Sequence, residues 1–139
     1  MHYVIFSIDK AWDLHTKAKF LRYIDTQRAL GELKGNMVLC IGSYKGVLED
    51  SFILRADDFD RFVRQSPYIS GQESVLHVKG RDMHCKLEIF YEGYTGMPAK
   101  RAARMFSLGR MVQMTKEEAY KQDGWTYRPD LDIYWSVEE

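Results

Sequence analysis

"IGSYKGVLEDSFIL", Ile41 to Leu54, sets two apolar runs on either side of a polar reversal. The first run begins upstream as "NMVLCIGSY" and reads as a strand, and the second, "EDSFILRA", reads as the next one. The reversal is richer than a two-residue hairpin requires. Gly42, Ser43, Tyr44, Lys45 and Gly46 precede an acidic pair, Glu49 and Asp50, at the mouth of the second strand.

Outward from this hairpin the periodicity changes on both sides. Upstream, Leu14, Ala18, Leu21, Ile24 and Ala29 recur near helical spacing with Lys and Arg between them. They predict a long amphipathic helix over about residues 13–30, ending near Gly31 or Gly35. Before it, "HYVIFSI" (2–8) is β-rich. Downstream, "DDFDRFVRQS" predicts a short helix capped by Asp57 or Asp58, with Phe59, Phe62 and Val63 facing inward and Pro67 ending it. "GQESVLHVKG" and "DMHCKLEIFYEG" then pair around Gly80, Arg81 and Asp82. In the second of these, Met83, Cys85, Leu87 and Ile89 alternate with His84, Lys86 and Glu88, which predicts one wet face.

The resulting order, β-α-β-β-α-β, matches the split βαβ arrangement. The expectation is therefore an α+β, ferredoxin-like antiparallel sheet with helices on one face and a C-terminal hairpin extension. Within that extension, "YTGMPAKRAARM" reads as an irregular or briefly helical link and "GRMVQM" as a strand. Thr115 and Glu118 form a capping box for a short helix stopped by Asp123 and Gly124. "WTYRPDLDIYWSV" closes the chain as a strand pair. The surplus aromatics Phe90, Tyr91, Tyr94, Trp125, Tyr127, Tyr134 and Trp135 suggest that the second sheet face is covered, for instance by self-association.

The 139 residues fit one domain spanning 1–139. Twenty basic and twenty acidic residues cancel, which argues against non-specific nucleic-acid binding. Cys40 and Cys85 lie in predicted strands without a C-x-x-C, and read as buried thiols of a reducing compartment. Neither a signal pattern nor an apolar run of about 20 residues is present, so a cytoplasmic protein without a membrane span is expected. His2, His15, His77 and His84 lack ligand spacing, so no metal is expected. Phosphate-loop, dinucleotide and nucleophile-elbow motifs are also missing from the sequence. Lys100, Arg101, Arg104 and Arg110 read as a solvated face.

Two acids carry more. Glu49 follows a glycine-flanked turn and neighbours Ser43, Tyr44 and Ser51, while Glu73 neighbours Ser70, Gln72 and Ser74. Carboxylates with hydroxyls and amides at strand starts suit a small polar cation.

"HYVIFSI", "GSYKGVLEDSFIL", "SGQESVLHV" and the tail "LGRMVQMTKEEAYKQDGWTYRPDLDIYW" are similar, in order and spacing, to the bacteriophage S-adenosylmethionine (SAM) lyases, formerly called SAM hydrolases. The resemblance implies a homotrimer in the bacterial host cytosol with SAM bound between subunits, and no cofactor. It implies cleavage to 5′-methylthioadenosine and L-homoserine lactone by attack of the substrate's own carboxylate on its γ-carbon. SAM depletion of this kind would blunt methylation-linked restriction. By the same resemblance Glu49 is the main substrate-orienting carboxylate. Glu73, or Gln72 beside it, is a second contact by that resemblance, and the reading of the residues themselves adds Ser43, Tyr44, Lys45, Gly46, Ser51 and Ser74 to the substrate site. The rival reading is a non-catalytic phage protein that inhibits a host enzyme through its exposed aromatics. A ferredoxin-like RNA-binding module fits less well, because the charge balance lacks the basic surface it needs.

Overall fold

The computed structural model describes residues 1–7, 14–64, 74–90 and 102–138. The elements run β1 (His2–Ser7), α1 (Leu14–Ala29), β2 (Val38–Tyr44), β3 (Val47–Arg55), α2 (Ala56–Phe62), β4 (Ser74–Lys79), β5 (His84–Phe90), β6 (Ala102–Met114), α3 (Lys116–Tyr120), β7 (Gly124–Arg128) and β8 (Ile133–Glu138). All eight strands pair antiparallel into one closed barrel, ordered β1-β3-β2-β7-β8-β6-β5-β4. Among the described residues no helix is long and apolar enough to cross a membrane.

The ferredoxin-like α+β expectation is therefore corrected: the sheet is not open. Two features close it. β6 begins at Ala102, inside the segment read as a link, and runs along β5 from Phe90↔Ala102 to His84↔Arg110. Its far half then pairs with β8, and β7 pairs with β2 through Gly42↔Thr126 and Tyr44↔Gly124. The hairpin extension joins the sheet instead of decorating it, which removes both exposed edges. The remaining part of that expected link, residues 94–101, lies outside the described residues, as does Pro67.

Strand alternation gives two cores. Val4 and Phe6 of β1, Phe52 and Leu54 of β3 and Val75 of β4 meet Phe20 and Ile24 of α1 and Phe59 and Phe62 of α2. That is the outer wall under the helices. Ile5, Cys40, Ile53, Val78, Cys85 and Met111 form the other cluster, with Trp135 packed against it. Seven strands reach that cluster together, which only the barrel interior allows. The helix predicted over 13–30 is present, but its inward stripe is Phe20 and Ile24, and Leu21 is exposed. Helix α2 begins at an Arg55 N-cap with no side-chain cap bond, so neither Asp57 nor Asp58 caps it. Instead the buried Asp58 carboxylate accepts the backbone N–H groups of Lys34 (3.0 Å) and Gly35 (2.9 Å), tying down the segment after α1. The Thr115–Glu118 capping box opens α3 as expected.

Candidate functional site

The 41–54 hairpin is tighter than its sequence implied. Tyr44 pairs with Val47, leaving Lys45 (φ 50°) and Gly46 (φ 81°) as a two-residue turn with the φ signs of a type I′ reversal. The Lys45 N–H donates to the Asp123 carbonyl at 2.6 Å. Ser43 pairs with Leu48 and Trp125 inside the sheet. The backbone of "GSYKG" is thus largely spent on pairing.

Glu49 lies two residues from Ser51 on β3, on the row that continues inward to Ile53. Its strand partner is Gly42, and Gly42 faces Thr126 on β7. A Cβ on Gly42 would stand 2.9 Å from the Ser51 Oγ, so glycine makes room for that hydroxyl. Ser51 Oγ lies 2.9 Å from Ser7 Oγ, and both belong to the Ser7↔Ser51 pair. Ser74 sits on the inner row of β4 with Leu76 and Val78. Because Ile5 pairs with Leu76, Ser74 and Ser7 stand one pleat further along the same face. One end of the barrel interior therefore carries Glu49, Ser51, Ser7, Ser74 and Thr126. Glu49 itself is half-buried and makes no hydrogen bond or ion pair among the described residues. The neighbouring Asp50 points the other way, toward Lys17 of α1 at 3.6 Å.

The structure thus brings Glu49, Ser51 and Ser74 together. Tyr44 shares their face but projects past the barrel end, mostly exposed. Ser43 lies on the opposite face, and Lys45 and Gly46 form the turn outside. Gln72, Glu73 and Ser70 lie outside the described residues, although β4, which they precede, begins at this end. Ser7 and Thr126 were missed. Their signal was register: Ser7 stands one alternation past Ile5, and Thr126 falls between two aromatics.

A second polar cluster sits on the outer wall beneath α2. The buried Glu88 carboxylate accepts both terminal nitrogens of Arg64 (2.5 and 2.8 Å) and lies 2.6 Å from His77 Nε2. The other ring nitrogen of His77 is 2.8 Å from His2 Nε2, and Arg64 Nε reaches Asp60 at 2.8 Å. Burial alone would raise the Glu88 pKa, but the hydrogen bonds from Arg64 and His77 outweigh it and hold it at about 2. The same pairing holds Arg64 above its ordinary value against the opposing effect of burial. His2 is lowered, first by burial and then by neighbouring His77 and Lys79. The expectation that Glu88 shares a wet face is corrected. Cys40 and Cys85 are buried as read, and burial pushes their thiols up to about 12 and about 11, away from nucleophilic thiolate. Among the described residues no three His, Cys, Asp or Glu side chains are arranged to hold a metal ion.

The fold and this end of it define a closed antiparallel barrel whose candidate site sets the Glu49 carboxylate among hydroxyls. The model of the S-Adenosylmethionine lyase family matches residues 12–138, nearly the whole chain, and the chain belongs to that family. Membership makes it a SAM-degrading enzyme, with SAM as its small-molecule substrate. No curated protein matches the sequence.

Proposed function

We propose that the chain cleaves SAM to 5′-methylthioadenosine and L-homoserine lactone at the Glu49 end of the barrel. The carrying observation is a half-buried carboxylate with no protein partner among the described residues, set beside paired serine hydroxyls. A carboxylate so placed suits the substrate's α-ammonium. In the reaction, a carboxylate oxygen of SAM bonds to its own γ-carbon while the γ-carbon–sulfur bond breaks. The bonding pair leaves with sulfur, turning sulfonium into neutral thioether. Nucleophile and leaving group are both ready at neutral pH, so no general acid, base or cofactor is needed. The protein's task is to hold the methionine moiety folded for attack, a positioning contribution that reaches about 7–11 kcal/mol in favourable systems.

The homotrimer with sites between subunits belongs to the same proposal. It draws support from the uncovered outer face of β2, β7 and β8, where Leu39 (58% exposed) and Ile41 adjoin a ring cluster of Tyr120, Trp125, Tyr127 and Tyr134. Incubation with SAM followed by chromatography should yield methylthioadenosine, and its absence refutes the activity. Turnover in heavy-oxygen water should leave the first-formed lactone unlabelled, whereas label incorporated in the cleavage step itself would indicate hydrolysis. Glu49→Gln should abolish turnover without changing the oligomer, and normal turnover by that variant would refute the assigned site.

A further inference from the structure

The opposite mouth of the barrel holds a cavity of about 440 Å3, away from Glu49. Ile5, Val38, Ile53, Val78, Met111 and Trp135 wall it, so its depth is apolar. Its rim carries Arg55 and Arg128. Such a volume lies in the ordinary range for small-ligand pockets, and an eight-stranded barrel is just wide enough to hold one small molecule.

The rim charges do not cancel. Arg128 donates two of its five N–H groups to Asp130 (3.1 and 2.5 Å) and stacks over Trp135 with its guanidinium 5.2 Å from the ring. Arg55 is exposed and makes no ion pair among the described residues. Its stem lies across Gly35: a Cβ there would stand 2.6 Å from Arg55 Cδ. Gly35 thereby lets the Arg55 side chain lie over the backbone at the mouth. The nearby acid, Asp58, is occupied by the Lys34 and Gly35 N–H groups.

We propose that this mouth binds a single-chain aliphatic carboxylate, with its chain inside the barrel and its carboxylate at Arg55 and the unused Arg128 donors. An apolar shaft under an unmatched guanidinium selects against cations, which the rim repels, and favours an anion over a neutral alcohol of equal length.

The test uses the full chain and titrates hexanoate, octanoate, decanoate and decanol by calorimetry, below their aggregation concentrations. Decanoate should bind at one site per chain. Each added methylene should tighten binding about fourfold, the increment for burying one CH2. Decanol should bind at least tenfold more weakly, as should decanoate to Arg55→Gln, whose methylene increment should persist. A terminally brominated decanoate should quench Trp135 fluorescence, with the quenching lost in Trp135→Phe. Val38→Trp, which fills the shaft from another strand, should abolish binding without touching the rim. No saturable decanoate binding below about 1 mM overturns the proposal. So does equal affinity for decanol, or quenching that survives in Trp135→Phe and so reports the outer aromatics. Binding to phosphatidylglycerol vesicles without binding to decanoate also overturns it, since that identifies a lipid surface as the partner.

Discussion

Glu88→Gln keeps the volume of the buried side chain and removes its charge. An unperturbed carboxyl of this type titrates at 4.5, and the fold holds Glu88 at about 2. That lowering, at about 1.4 kcal/mol per tenfold change in proton affinity, amounts to about 3 kcal/mol of stability from the ionised group. Truncations that leave a buried charge unpaired cost about 3–5 kcal/mol, and Arg64, which loses its two-pronged partner but keeps Asp60, falls at the low end of that range. The two routes agree, and against a net stability of about 5–15 kcal/mol the loss is large. The pH dependence has a definite sign. A carboxyl whose pKa is depressed on folding stabilises fully above its unfolded value of 4.5, and that contribution is lost as pH falls through about 2. Urea unfolding of both proteins at pH 7 should therefore show a gap of about 3 kcal/mol, which narrows steadily when the measurement is repeated below 4.5. Other carboxylates titrate in both proteins alike, so the gap isolates Glu88. A gap under about 1 kcal/mol at pH 7, or one that persists undiminished near the folded pKa, refutes the reasoning.

Three further outcomes are expected. Asp58→Ala orphans the Lys34 and Gly35 N–H groups and should cost about 2–6 kcal/mol in urea unfolding, at about 1–3 kcal/mol per orphaned donor. Gly42→Ala drives a Cβ to 2.9 Å from Ser51 Oγ; it should cost at most about 1–3 kcal/mol of stability yet weaken SAM binding about tenfold or more, measured by the SAM-induced rise in melting temperature. Cys40 and Cys85, with thiols held at about 12 and about 11, should resist aromatic disulfide reagents at pH 8 in the native protein and react at once in urea.

Local structure was legible in the sequence because its signals are local. The spacing in "AWDLHTKAKFLRYIDTQRAL" placed α1 to within a residue at each end, and the Thr115–Glu118 box marked the start of α3. Closure was not legible, because it depends on pairings far apart in the chain. Ala102 to Met105 have the small and charged composition of a link, and they become strand only because β5 offers a partner. The outer wall failed for a related reason. Glu88 alternates with His84 and Lys86 as a solvent-facing residue would, and its partner Arg64 lies 24 positions away in the chain. At the candidate site the sequence named Glu49 and Ser51 correctly as neighbours, since residues two apart on a strand share a face. It placed Ser43 with them, yet odd and even positions of β2 face opposite ways, and only Gly42 and Tyr44 keep company with Glu49.

Closure also alters what Glu49 is. In the run β4-β1-β3-β2 taken alone, β2 would be an edge strand, and the face shared by Gly42 and Glu49 would open to water. In water an ammonium–carboxylate contact contributes little, about 0–1 kcal/mol. β7 covers that edge through Gly42↔Thr126, so Glu49, Gly42 and Thr126 form one row across three strands with Ser51 and Ser7 behind it. The same carboxylate is now half-buried, and an ion pair formed there is screened less. The C-terminal hairpin contributes only Thr126 to this row, but by walling it off it raises what an ion pair formed at Glu49 would contribute under the proposed function.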